Sequence, residues 1–576
     1  MSLGNLREFL DARVTAALAA AGAKGAPGVV RVSGKPEFGD YQANGIMGAA
    51  KRLKTNPREL ATQVLQHLDL TDVADVEIAG PGFLNINLHD AWLSARLNER
   101  RTLLAPSATP QTVVVDYSAP NLAKEMHVGH IRSTIIGDAT VRMLEGLGHT
   151  VIRQNHVGDW GTQFGMLVTY LRELESTQDG DATVLADLEE FYRAAKARFD
   201  ADPDFAERAR LAVVALQAGD PEVRALWQQF IDLSLAHCQA LYERLGTTLT
   251  RADVMAESSY NDALPGIIQT LRAKDLLQES DGAQCVFLDE FKGKNGDPLP
   301  VIVQKSDGGY LYATTDLAAV EHRSKTLTAD RVMYFTDARQ AFHFKQIFAV
   351  AAAAGFGTPQ SSLEHYPFGA MLGRDGKPFK TRAGGVVKLA DLLDEAEERA
   401  RAEVQGRGEL TDADAIKVAG RTIGIGAVKY ADLSKNRTSD YVFDWDAMMA
   451  FEGNTAPYLQ YAYARIQRVF ERGDTSAQAV QSAGISALTE PAEHQLASAC
   501  LRLQEVVEQA TTEGMPHYLC TYLYELASKF MKFYEACPIL SSQGEQKASR
   551  LALSAHTAQI LKGGLELLGI DTLDRM

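Results

Sequence analysis

The sequence predicts a multidomain α/β protein in which an open parallel sheet, interrupted by a helical insertion, lies between a small α+β unit and a helical bundle. Three observations predict it. A strand–helix–strand pattern runs from Val113 to Gly158, helical periodicity with almost no strand signal runs from Phe443 to the end, and 576 residues exceed what one core organises.

Taken in order, residues 1–105 read as the α+β unit. A helix is expected over Asn5–Ala21 and another near 57–69, followed by the alternating stretch "VEIAGPGFLNINL". "RTLLAPSATPQT" (101–112) has linker composition and sets a boundary near 105. The second unit, 106–442, opens with "VVVDY" (113–117), a continuous β-branched run typical of a strand buried on both faces. The helix after it repeats Ile131, Ile135, Ala139, Met143 and Leu147 on one face, Gly146 and Gly148 mark its end, and "VIRQNHVG" follows as the next strand. Residues of about 165–280 read as mainly helical, an insertion. "CVFLDE", "LPVIVQK", "GGYLYATT" and "RVMYFTD" then read as strands with which the open sheet resumes. The third unit, 443–576, reads as a helical bundle.

Composition excludes little. With 74 acidic against 58 basic residues the net charge is −16, which argues mildly against nucleic acid, yet Lys and Arg cluster in 374–388 and 421–437. The five cysteines lack zinc-site or redox spacing and read as reduced structural thiols, so no zinc is expected. Apolar stretches at 14–23 and 347–357 are too short for a bilayer, and Glu8, Asp11 and Arg13 spoil a secretory reading. No membrane is expected, and a cytoplasmic location is.

Chemistry concentrates in "VVVDYSAPNLAKEMHVGHIRSTIIGDA" (113–139), where a strand runs through Pro120 into a helix. His127, Gly129 and His130 fall at that helix's start, where free backbone N–H groups and the dipole favour a phosphate. Gly129 permits close approach of a nucleotide base, and both histidines can donate to phosphate oxygens. The bare spacing equally suits ordinary helix-start histidines.

In its full context the stretch resembles the HIGH motif of class I aminoacyl-tRNA synthetases. With "QNHVGDWGTQFG", "DGGYLYATTDLAA", "YFTDARQAFHF", "GKPFKTRAGG", "VKYADLSKNR" and "FEGNTAPYLQYAYARI" it is similar to arginyl-tRNA synthetases of bacterial type along essentially the whole chain. That resemblance implies a Rossmann-like catalytic domain with the signature-loop region 371–388, ATP accompanied by Mg2+, L-arginine and tRNA as partners, and a monomer. It implies arginyl-adenylate formation followed by transfer to the tRNA's terminal adenosine, with activation dependent on bound tRNA.

By the same resemblance, Pro378–Arg382 matches the KMSKS loop, with Thr381 where a second lysine usually stands. Lys124 resembles the substitute cation, and Lys377, Lys380 and Arg382 are the loop's own. A guanidinium calls for carboxylates. Tyr312 and Asp316, four apart, match the arginine pocket, as does Asp116 as a second carboxylate; Asn121 and Gln340 match positions at the substrate's amino end. Phe38, Tyr41, Gln42 and Asn44 in "FGDYQANG" belong to a unit implied to touch the tRNA D-loop, and Tyr458 and Arg465 to an anticodon-binding bundle. Other readings are a cysteinyl or glutamyl synthetase, disfavoured by the missing zinc cysteines and the acidic pocket, and an idle tRNA-binding paralogue, disfavoured by the intact His127, Gly129, His130, Lys124 and Lys380.

Overall fold

The computed structural model describes residues 4–176, 188–293, 295–379 and 387–576. The chain opens with α1 (Leu6–Ala20), whose first turn is capped by Asn5, the side-chain oxygen accepting the Glu8 N–H at 3.0 Å. Leu6, Leu10, Val14 and Leu18 are spaced along one stripe and are buried. They pack by an antiparallel sheet of β1 (Val30–Val32), β2 (Tyr41–Ala43), β3 (Ala74–Ala79) and β4 (Phe83–Leu88), in the order β1-β2-β4-β3.

The central sheet starts with β5 (Thr112–Asp116), crosses through α2 (Val128–Gly146) and returns in β6 (Thr150–Gln154). All the predicted face residues of α2 are buried, and so is most of its remaining surface, because it lies between the sheet and the helices of the C-terminal half. Helices then dominate the insertion: Thr162–Ser176, Leu188–Ala201, Pro203–Ala218, α3 (Pro221–Leu245) and Leu264–Ala273.

The expected strand series after the insertion divides. "CVFLDE" and "LPVIVQK" lie in β8 (Ala283–Lys292) and β9 (Pro298–Gln304), which with β7 (Leu277–Ser280) form a separate antiparallel sheet. A short connection between two strands permits only a hairpin, since a parallel return needs a crossover. "GGYLYATT" is a correction too: its second half begins α4 (Tyr312–Glu321), where Ala313 and the following Leu-Ala-Ala favour helix over the β-branched threonines. Only "RVMYFTD" rejoins the parallel sheet, as β10 (Arg331–Tyr334). After α5 (Ala341–Ala354), β11 (Ser362–His365) completes the order β11-β10-β5-β6. The connections leave β5 in opposite directions toward β6 and β10, so the ligand crevice belongs at the carboxyl ends of β5 and β10.

β12 (Met371–Leu372), α6 (Ala413–Leu433) and β13 (Tyr441–Val442) lead to a bundle containing α7 (Ala456–Arg472), α8 (Pro491–Cys500), α9 (Leu503–Glu513), α10 (His517–Ala536) and α11 (Gly544–Leu567). The bundle docks on both preceding units. Within the middle unit Arg132 of α2 pairs with Asp432 of α6 at 3.0 Å, both buried, and the buried Lys429 ammonium of α6 ties that unit to the end of the bundle, donating to the Leu245 and Gly569 carbonyls at 2.7 and 2.5 Å. His494 of α8 bridges Asp40 and Asp90 of the N-terminal half at 3.0 and 2.7 Å. All five cysteines are buried.

Candidate active site

β5 hands over to a strained turn. Ser118 (φ 70°) and Ala119 (φ 46°) occupy the left-handed region, which is costly for residues bearing a Cβ. Surrounding groups hold them there. Ser133 Oγ accepts the Ser118 N–H at 2.9 Å, Asn155 Oδ1 accepts the Ala119 N–H at 3.0 Å, and the Tyr242 hydroxyl of α3 meets Ser118 Oγ at 2.8 Å and the Asn155 amide at 3.0 Å. The insertion thus braces the loop that presents Asn121. Asn121 Oδ1 accepts the Ala123 N–H at 3.0 Å.

The start of α2 is built differently from the expected open anion site. His127 is the N-cap and accepts the Gly129 N–H on Nδ1 at 3.0 Å, while His130 accepts the His127 N–H on its own Nδ1 at 3.1 Å. The Val128 N–H goes to the Val387 carbonyl at 3.1 Å and the His130 N–H to the His127 carbonyl at 2.9 Å. First-turn donors are therefore already taken, which corrects the expectation of free backbone N–H groups. Burial, then Lys124, holds His127 below the ordinary imidazole range; burial, then His127, pushes His130 down to about 3. Neutral rings that accept on Nδ1 carry their proton on Nε2, so two Nε2–H donors emerge from rings 4.0 Å apart. Gly129 has a second reason to be glycine, since a Cβ there would fall 2.7 Å from His127 Cε1.

Lys124 lies beside this point, close enough to act on His127. The Lys124 ammonium sits 4.3 Å from the centre of the Tyr192 ring. Lys377 is exposed on a turn in which its carbonyl accepts the Gly373 N–H at 2.7 Å, and the Phe379 ring packs at a tilt against Phe443, centroids 4.9 Å apart. Lys380, Thr381 and Arg382 lie outside the described residues.

Acidic groups collect beside the crevice. Asp316 accepts from or pairs with His343 at 2.6 Å and lies 4.0 Å from His156 Nε2. Tyr312, one turn earlier on α4, is largely exposed. Gln340 is exposed at the start of α5, three residues before His343. Asp116 needs correction as a free carboxylate: its Oδ2 is paired with Arg323 at 2.7 Å, both side chains buried, and Arg323 also donates to Gln154 at 2.8 Å. Sequence reasoning missed Glu257. Burial pushes its carboxyl up to about 8, with Asp159 and Asp316 adding to the rise, and Glu257 in turn helps raise the Tyr312 hydroxyl, after burial. Its local signal, "MAESSYND", is an unremarkable polar turn, and only folding brings it to α4.

The nucleic-acid candidates separate. Tyr41 is fully buried and donates to Glu505 at 3.0 Å, so it is a core residue of the interface with α9 rather than a base-stacking one. Gln42 donates to Asn85 at 2.8 Å, Asn44 is half-buried, and Phe38 is exposed beside Lys35. Tyr458 packs near Tyr524, whereas Arg465 lies over Tyr534 at 4.8 Å in a cleft that Tyr461, Arg468, Arg472 and Met576 share.

The chain matches three family models: the arginyl-tRNA synthetase N-terminal domain over residues 8–88, the class I (R) tRNA synthetase catalytic domain over 93–445, and the DALR anticodon-binding domain over 459–576. It is 58% identical to the arginine–tRNA ligase of Hahella chejuensis, across 99% of this chain and 100% of that protein, and 55% identical, with the same coverage, to that of Salmonella enteritidis. Among solved structures, the arginyl-tRNA synthetase of Plasmodium falciparum superposes with a TM-score of 0.87 at 27% identity over 100% of both chains. That of Thermus thermophilus shares the fold at a TM-score of 0.82 and 24% identity, over 99% of this chain and 100% of that one. With a histidine pair at the start of the helix after β5, a group of acids beside the parallel sheet, and these matches along its length, the chain belongs to the arginyl-tRNA synthetases of class I.

Proposed function

We propose the following division of labour among the residues of this arginine–tRNA ligase. ATP docks at the start of α2, where the Nε2–H groups of His127 and His130 donate to phosphate oxygens as neutral hydrogen-bond donors. Positive charge comes from Lys124 and from Lys377, Lys380 and Arg382. Asp316 and Glu257 share the guanidinium, which offers five donors and no acceptor, and the Tyr312 hydroxyl adds an acceptor. Asn121 and Gln340 hold the amino-acid end of the substrate. Asp116 acts one step removed, as the counter-ion that fixes Arg323 behind the pocket.

The arginine carboxylate attacks the α-phosphorus of ATP and pyrophosphate leaves. A ribose hydroxyl of the terminal adenosine then attacks the adenylate's carbonyl carbon, and AMP leaves. Positioning and charge stabilisation suffice for both steps. Among the described residues no three His, Cys, Asp or Glu side chains converge as a metal cage. Mg2+ arriving with ATP fits this site through phosphate and water ligands, and it supplies charge neutralisation of the phosphates. The cleft around Arg465, Tyr461 and Tyr534 suits an unpaired anticodon base, and Phe38 suits a D-loop base. A single cytoplasmic chain carries every one of these sites.

The observation supporting this reading is that His127 and His130, whose rings accept on Nδ1 and leave Nε2 to donate, follow β5, while Asp316 and Glu257 act on each other beside His156 and His343, which follow β6 and β10. Pyrophosphate exchange measured across the amino acids tests it: arginine alone should support exchange with tRNA present, and exchange with another amino acid would refute the pocket assignment.

A further inference from the structure

Lys124 is held by the helical insertion. Tyr192, on the helix Leu188–Ala201, packs half-buried against the core, and its ring lies 4.3 Å below the Lys124 ammonium. The Lys124 N–H meets the Asn121 carbonyl at 3.4 Å, and the four-carbon side chain beyond it has the rotamer freedom that placing the ammonium must remove. The same ammonium is close enough to act on His127.

A long lysine chain loses rotamer freedom whenever it is brought to one place. A carboxylate partner would hold it but cancel much of the charge that phosphate oxygens need. An aromatic face restrains the ammonium while leaving that charge in place. With Thr381 standing where a cation is otherwise expected, the location of this one ammonium gains weight.

We propose that Tyr192 is a positioning residue for adenylate formation: its ring keeps the Lys124 ammonium at the mouth of the nucleotide site without neutralising it. This rests on the reading of Lys124 as a cation for the ATP phosphates. The insertion helix would then set nucleotide affinity from outside the sheet.

The test is a double-mutant cycle on single-turnover adenylate formation with tRNA bound, using the full chain, Lys124→Ala, Tyr192→Leu and the double variant, with Tyr192→Phe as the conservative control. Tyr192→Leu should lower the rate at subsaturating ATP about threefold to tenfold, Tyr192→Phe should stay within about twofold, and KM for arginine should not move. In the Lys124→Ala background, Tyr192→Leu should have no further effect. An undiminished effect in that background, which general loss of fold would also produce, overturns the inference, as does a parental rate in Tyr192→Leu or an equal defect in Tyr192→Phe. A parental rate in Lys124→Ala itself sinks the underlying role of Lys124, whereas a slow Lys124→Ala beside a normal Tyr192→Leu sinks only the role of Tyr192.

Discussion

Arginine binding should expel a proton from Glu257. With its carboxyl pushed up to about 8 by burial, Asp159 and Asp316, the residue is about nine-tenths protonated at pH 7 in the empty pocket. A guanidinium placed between Glu257 and Asp316 reverses the balance, because an opposite charge within a few ångströms favours the ionised form. If the bound-state value falls by two units or more, complex formation releases about 0.8–0.9 proton at pH 7, about 0.5 at pH 8 and about 0.1 at pH 9. The sign follows. The free enzyme holds more protons than the complex, so raising the pH favours the complex, by about fivefold in Kd between pH 7 and 8 and by less than about twofold between pH 8 and 9. Titration calorimetry in two buffers of different ionisation enthalpy reads the released proton directly. Glu257→Gln should bind arginine more weakly and release none, which separates Glu257 from the neighbouring His156 and His343. Equal heats in the two buffers at pH 7, or a Glu257→Gln enzyme that releases the same fraction, would refute the reasoning.

Asp316→Asn should raise KM for arginine about a hundredfold while leaving KM for ATP within about threefold, since a charge-assisted pair is lost from one substrate only; steady-state kinetics on both substrates distinguishes the two. Arg323→Met leaves Asp116 buried without its partner, and urea denaturation should register a loss of about 3–5 kcal/mol, partly recovered by adding Asp116→Asn. His494, pushed up to about 9 by its hydrogen bond to Asp40 and then by Asp90, stabilises the contact between the N-terminal unit and the bundle. Being raised in the folded state, it contributes fully below about pH 6.5 and loses its contribution as pH climbs to about 9; stability measured across that window should fall by on the order of 1–2 kcal/mol more in the parent than in His494→Gln.

Local signals determined a good deal of this molecule. The β-branched run at 113–115 reads as a buried strand and the four-residue spacing from Ile131 to Leu147 as a helix against it, and both form, with His127 as that helix's N-cap. These are properties of neighbouring residues, set by backbone period and helix-end electrostatics. Strand direction was legible too, in principle, from the short "KGKNGDP" connection that makes β8 and β9 antiparallel. What a side chain faces is another matter, because it depends on partners hundreds of positions away. Tyr41 reads as an exposed aromatic until Glu505 covers it, Asp116 reads as a free acid until Arg323 reaches it, and Glu257 reads as a surface turn until burial, then Asp159 and Asp316, raise its proton affinity. Burial and charge pairing are tertiary quantities: the energy of an ionisable group changes by several kcal/mol with the company folding gives it, and no local pattern encodes that company.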